Sequence, residues 1–265
     1  MLGADPGRTP SAISLANWQS APHLHWSFQH IAELLPTATI SRGAGPVAPL
    51  PAAYSDVAAI AVTLPDGAPS TVGQVMASTA TDGWIVTHRG QVLADQYYGG
   101  MQPDTAHLLM SVSKTVVAAV AGSLVGTGAL NVDALASDYV PALANSGYYG
   151  ATVRHLLDMR SGIAFSEDYL DPAAEVRVLE QAIGWAPRTH PDVPGTMYDF
   201  LLTLRQKVPH GGPFEYRSCE TDVLGWVCEA AAGARMPELM SQLVWSRMGA
   251  AQDANIGVDS MGSGM

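Results

Sequence analysis

Ser111-Val-Ser-Lys114 sets a hydroxyl and an amine three residues apart at the head of an apolar run, "HLLMSVSKTVVAAVAG". On a helix, residues i and i+3 share a face, so the Lys114 ammonium can reach the Ser111 hydroxyl. A serine hydroxyl is a weak nucleophile until a neighbouring base takes its proton. A lysine in apolar surroundings loses part of its preference for the charged form and can be that base. Lys114 is one of only two lysines in the chain, with Lys207 the other, so its place in such a run needs a reason. A serine at a helix N-terminus also aims a backbone N–H and the helix dipole at a developing oxyanion. On the tetrad alone the plain alternative stays open: a capping serine beside a lysine whose stem covers apolar surface. A third group comes from "PFEYRSCETDVLGWV", where Tyr216 stands in a short turn just ahead of a helix. A phenol set between cations can pass a proton to a leaving atom, because the cations favour its phenolate. Taken alone, Tyr216 reads as an ordinary half-buried tyrosine.

These groups need a scaffold. Ser111 opens a predicted helix to about Val125, closed by Gly126 and Gly128. "ATVRHLLDMRSGI" predicts a capped helix from about Thr152 that stops near Ser161-Gly162. Further helices are expected at 198–207, 220–232 and 237–248, with "VPHGGPF" as a turn leading into Tyr216. "HGG" at 210–212 also reads as a lipase-type oxyanion loop, but a turn explains it better. Two β-prone runs, 84–87 and 91–98, flank Arg89-Gly90 and predict a hairpin. Residues 164–195 read as a long acidic, proline-containing excursion of the kind that forms functional lids. Residues 1–80 read as an arm with short helices, one near "SFQHIAELLP", and the chain closes on "GVDSMGSGM" with no strand after it.

Composition narrows the class. At 265 residues, 48% of them hydrophobic, the chain can bury a sizeable core. A net charge of −11 argues against nucleic acid and gives no support to an anionic membrane surface. No apolar run reaches the roughly 20 residues that span a bilayer, and the N-terminal stretch lacks the pattern of a secretory signal. Cys219 and Cys228 on one helix would stand about 13 Å apart, too far for a disulfide. Two free thiols without a signal predict a cytoplasmic protein. No metal-site spacing is present, so no metal or cofactor is expected. His23 and His25 in "PHLHW" can be read as a metal pair, but a polar arm is the simpler reading.

Three segments in this order, "LLMSVSKTVVAAVAGSLVGTGALNVDALASDYVPAL", "ATVRHLLDMRSGI" and "FEYRSCETDVLGWVCEAAAG", resemble the serine β-lactamase and penicillin-binding-protein superfamily. The resemblance is on the side of its class C-like hydrolases and esterases, and within them of the nylon-oligomer (aminohexanoate) hydrolases. It implies an α+β fold, β-lactamase/transpeptidase-like, with an antiparallel sheet flanked by helices plus a mostly helical subdomain. The expected division is residues 1–128 for arm, hairpin and nucleophile helix, and 129–265 for a mostly helical region with lid and tyrosine motif. By resemblance Ser111 is the acylated nucleophile, Lys114 its base, and Tyr216 the proton relay to the leaving group. The Ser111 N–H supplies half of an oxyanion hole. Tyr169 in "EDYLDP" would close over substrate or simply pack the lid, and Ser218 stands where many relatives carry Asn. The family's third motif, a Lys or His followed by a small residue and Gly on a C-terminal strand, is not matched. The chain is therefore expected to be C-terminally truncated, with the last strands of the sheet missing.

The implied activity is hydrolysis of small amides or esters, amide oligomers among them, with no cofactor. The lid acids Glu167, Asp168, Asp171, Glu175 and Glu180 would favour amine-bearing substrates, Glu180 included as a substrate-binding residue, or form a solvated loop. A β-lactamase or D-alanyl carboxypeptidase is the alternative within the fold, and an inactive binding module the alternative outside it. A homodimer is left open.

Overall fold

The computed structural model describes residues 13–21 and 23–264, so residues 1–12 of the expected arm lie outside the described residues. In chain order the first elements are α1 (Leu24–Gln29), β1 (Thr37–Ile40), β2 (Ala61–Thr63), β3 (Pro69–Thr71) and α2 (Val72–Ser78). Strands β4 (Gly83–His88) and β5 (Gln91–Tyr97) follow, then α3 (Ser113–Gly126), α4 (Ala136–Tyr139) and α5 (Val153–Leu157). The remainder is α6 (Glu175–Ala182), α7 (Met197–Thr203), α8 (Ser218–Ala232), α9 (Met236–Met240) and β6 (Ala254–Gly257). The elements sort into two compact units. One holds the described residues up to Ile31 with Val47–Leu108, the other Ala32–Pro46 with the residues from Leu109 onward.

In the first unit, β4 and β5 form the expected antiparallel hairpin, with Gly83 opposite Tyr97 and His88 opposite Gln91. Arg89 (φ 49°) and Gly90 (φ 76°) both take positive φ, as a two-residue turn matched to strand twist requires. The hairpin is not left without a neighbour. Ala53 N–H donates to the Val92 carbonyl at 2.8 Å and Ser55 N–H to that of Leu93 at 2.9 Å, so residues 53–55 run beside β5. The segment read as an arm with short helices also carries the antiparallel pair β2–β3, whose three-residue strands are too short to show a period. Helix α2 starts on a capping box, the Thr71 hydroxyl accepting from Gln74 N–H while the Gln74 side chain accepts from Thr71 N–H. His25 meets Asp82 Oδ1 through Nδ1, and His107 Nε2 reaches Asp82 Oδ2 at 2.9 Å. Among the described residues no trio of His, Cys, Asp or Glu is placed to hold a metal ion.

The second unit is built around α8. Its Cys219, Val223, Leu224, Val227 and Cys228 are buried, together with Val120, Ala121 and Leu124 of α3 and Val153 and Leu156 of α5. Each such valine or leucine contributes roughly 1.5–3 kcal/mol through burial. Both cysteines are free and buried on the one helix, as their spacing implies. Gly233 ends α8 in the left-handed conformation (φ 66°). No helix among the described residues is long and apolar enough to cross a membrane.

At four points the structure refines or departs from the sequence reading. Helix α3 is not buried all round: Thr115, Ala118, Ala119 and Gly122 are exposed, and Lys114 is only half-buried. A run of Ala, Val and Gly carries no amphipathic stripe, so its sequence cannot tell which face is covered. The excursion 164–195 is not all loop. It contains α6, whose Val176, Leu179 and Ala182 face the core at helical spacing beside buried Phe165. The expected helix over 237–248 is α-helical only to Met240 and continues through a π-turn at Ser241–Trp245. Finally, the C-terminal tail is entered from a strand: β6 pairs antiparallel with β1, Thr37 opposite Gly257 and Ile40 opposite Ala254.

Candidate active site

A 3-10 turn at Met110–Val112 delivers Ser111 to the start of α3. Met110, immediately before the serine, sits at φ 49°. A non-glycine residue held in the left-handed region costs on the order of 1–2 kcal/mol, and such strain gathers at functional sites. The serine hydroxyl is met from two sides. Lys114 Nζ donates to Ser111 Oγ at 3.0 Å, and Tyr216 OH donates to the same atom at 2.8 Å. Lys114 Nζ also lies 5.4 Å from the centre of the Tyr216 ring, so amine, phenol and hydroxyl form one cluster. Ser111 and Tyr216 are 105 positions apart in sequence.

Tyr216 is brought there by a segment pinned to the end of α5. Thr152 caps α5 by accepting from His155 N–H, and the helix runs out at Asp158. Beyond it Met159 (φ 51°) turns its carbonyl to Glu215 N–H at 3.1 Å. Arg160 donates to the carbonyls of Gly211 and Gly212. Those contacts make "HGG" a turn whose carbonyls are engaged by a guanidinium. At Gly162 (φ 72°) a Cβ would overlap the Val208 carbonyl oxygen, so only glycine lets the two segments close.

Tyr169 is 47% exposed, and its OH donates to Glu167 Oε2 at 2.6 Å. Glu167 Oε1 accepts the backbone N–H of Ser218, the first residue of α8. Glu167 thus links Tyr169 to the helix that follows Tyr216. Burial, then the Glu167 carboxylate, pushes the Tyr169 phenol up from its ordinary value, while the Ser218 side chain pulls it the other way. Glu180 is buried, and its Oε2 accepts from Arg177 Nη1 at 2.7 Å, so its charge faces a guanidinium. Arg177 in turn donates through Nε to the Tyr169 carbonyl at 3.1 Å and stacks over the Tyr169 ring. The structure therefore brings Ser111, Lys114 and Tyr216 into direct contact. It gathers Tyr169 and Ser218 through Glu167, and joins Glu180 to Tyr169 through Arg177.

Three participants are not apparent from the motifs. Asp222, one turn along α8 from Ser218, is pushed up to about 7 by burial, with the Lys114 charge opposing and the Glu167 charge adding to the rise. Arg217, the residue after Tyr216, is 1% exposed. Glu220 is fully buried and also pushed up to about 7, mainly by burial, against the pull of Ser161 and Arg217. A cavity of about 510 Å³ borders the cluster, lined by Phe165, Glu167, Glu175, Lys207, Glu215 and Tyr216 among others.

Comparison with known proteins identifies the family and the fold. The family model described as Beta-lactamase matches residues 69–259. A 6-aminohexanoate-dimer hydrolase of Paenarthrobacter ureafaciens is 40% identical over 266 residues, covering 99% of this chain and 66% of that protein, so the chain spans just under two thirds of that relative's length. Among solved structures, a Bacillus anthracis protein provisionally named a 6-aminohexanoate-dimer hydrolase superposes with a TM-score of 0.90 at 24% identity, covering 97% of this chain and 67% of that one. A provisionally named β-lactamase from Bacteroides dorei DSM 17855 gives 0.51 at 23% identity, over 68% of this chain and 50% of that one. At such identities these two structures speak for the fold alone, and the expected α+β, β-lactamase-like architecture holds.

Proposed function

The chain belongs to the β-lactamase family, and from that premise we propose that it is a serine hydrolase that cleaves small amides or esters through an acyl-enzyme on Ser111. The observation that carries the reading is the double contact on one oxygen, Lys114 Nζ at 3.0 Å and Tyr216 OH at 2.8 Å from Ser111 Oγ. In the proposed reaction Lys114 takes the Oγ proton while Oγ attacks the substrate carbonyl. The carbonyl oxygen becomes an oxyanion beside the Ser111 N–H at the head of the helical segment. Tyr216 then gives its proton to the departing nitrogen or oxygen and is reprotonated from Lys114, leaving the acyl ester. Water, deprotonated by the same pair, releases the acid and restores the serine.

Amine-bearing amides are the proposed substrate class, small amide oligomers among them. The 40% identical relative is named for such a dimer, and Glu167, Glu175 and Glu215 outnumber Lys207 around the cavity beside Tyr216. The reading includes reaction in the cytoplasm, in keeping with two unpaired thiols. A fluorophosphonate probe followed by peptide mass analysis tests the core of it. One adduct on Ser111, lost in Ser111→Ala, is the expected result. A folded protein that takes no adduct would return the chain to a binding role. Fast turnover of a chromogenic β-lactam would favour the β-lactamase alternative over the amide hydrolase.

A further inference from the structure

We infer that Arg217 is a positioning residue for Tyr216, its buried guanidinium closing the chain around the tyrosine and aiming the phenol at Ser111. The inference rests on the proposed serine-hydrolase reading and adds to it the device that holds the relay. Residues 214–217 carry no regular secondary structure, Phe214 before the tyrosine is 66% exposed, and Tyr216 itself is 40% exposed. A phenol on such a stretch would swing unless its flanking backbone were fixed.

Two contacts fix it. Glu215 N–H is held by the Met159 carbonyl at 3.1 Å. Arg217 turns inward and donates through Nη2 to Glu215 Oε2, so the residues on either side of Tyr216 are joined across it. Arg217 Nη1 stands 3.5 Å from Glu220 Oε1, one turn into α8, and the Ser161 hydroxyl donates to that same oxygen. The chain Glu215–Arg217–Glu220–Ser161 thus anchors the tyrosine turn to α8 on one side and to the strip after α5 on the other.

As a device for stability alone this arrangement is poor. Arg217 Nε and Nη1 and Glu220 Oε2 are buried without hydrogen-bond partners. Buried ion pairs are often no more stabilising than apolar residues of the same volume, and incompletely satisfied ones are worse. What the arrangement does supply is a fixed turn, and a displacement of about 1 Å at a reacting group can cost about 100-fold in rate.

The test is a double-mutant cycle read by the rate at which a chromogenic anilide acylates Ser111, because its aniline leaving group needs the proton that Tyr216 supplies. Arg217→Met is expected to lower the limiting acylation rate about 10- to 100-fold, with the half-saturating anilide concentration unchanged. In a Tyr216→Phe background the same substitution is expected to add nothing, because its effect passes through the phenol. Arg217→Lys, which keeps the charge but not the fork, is expected to recover only part of the rate. Glu215→Gln removes the exposed partner of the pair and is expected to repeat the pattern more weakly. It decides the matter on the same criterion if Arg217→Met does not fold. Unchanged acylation, or losses that multiply in full in the Tyr216→Phe background, would overturn the inference. Wild-type protein that takes no fluorophosphonate adduct on Ser111 would overturn the hydrolase reading first, and this inference with it.

Discussion

At the scale of the residue, one oxygen organises the site. Ser111 Oγ accepts from an amine and a phenol at once, which is the environment a developing alkoxide requires. Removing the phenolic OH in Tyr216→Phe is expected to lower kcat for an amide substrate roughly 100- to 10,000-fold, the usual worth of general acid–base catalysis. Esters, whose leaving group needs less protonation, are expected to suffer less, and parallel assays on an amide and its ester check this. Glu220 makes a separate prediction about stability. Its folded-state value of about 7 lies above that of an ordinary carboxyl, so at intermediate pH the folded protein holds a proton that the unfolded chain has released. Stability from this group is therefore full below about pH 4 and is lost as pH rises towards about 7. Glu220→Gln has no proton to lose. Urea unfolding at pH 5 and at pH 7.5 is expected to show wild type losing more stability than the variant, by on the order of 1–3 kcal/mol.

At the scale of the element, the site depends on how closely the strip after α5 and the segment before α8 approach. Gly162 sets that distance, since its φ of 72° and the Val208 carbonyl above it exclude a side chain. Gly162→Ala is expected to destabilise the protein by about 2 kcal/mol or more, read from the urea midpoint. If Tyr216 is aimed by this contact, acylation of Ser111 falls even under conditions where the variant is folded. Helix α6 gives the element-level lesson in the other direction. Its Val176, Leu179 and Ala182 stripe is legible in the sequence, yet the acidic residues and prolines around it suggest a lid, and packing into the core overrides that impression. Glu180 shows the consequence. It belongs to the acidic set by composition, but the fold buries it against Arg177.

At the scale of the whole molecule, charge is the property that reaches furthest. The chain carries a net −11, and Glu167, Glu175 and Glu215 line the cavity at Tyr216. For an amine-bearing amide, kcat/KM is expected to fall several-fold as salt rises from about 0.01 to 0.15 M, because the Debye length shrinks from about 30 to 8 Å. A neutral amide of the same size should show little change. Glu175→Gln is expected to reduce the preference for the cationic substrate, and an unchanged ratio of the two kcat/KM values would remove the cavity from the account of selectivity.

Sequence by itself determined the local chemistry. The i, i+3 spacing of Ser111 and Lys114 places them on one helix face, Arg89-Gly90 sets the hairpin turn, and Thr152 sets the start of α5. Each depends on neighbours within a turn or two of chain, which is why each is legible. The motifs also carried the family and, with it, Tyr216. Only the tertiary structure decided what depends on distant partners. It brought Tyr216 across 105 positions to Ser111, gave α3 an exposed face, paired β6 with β1, and buried Arg217 against Glu220. Burial of a charge and closure of a turn are set by what packs against them, and no local pattern records that.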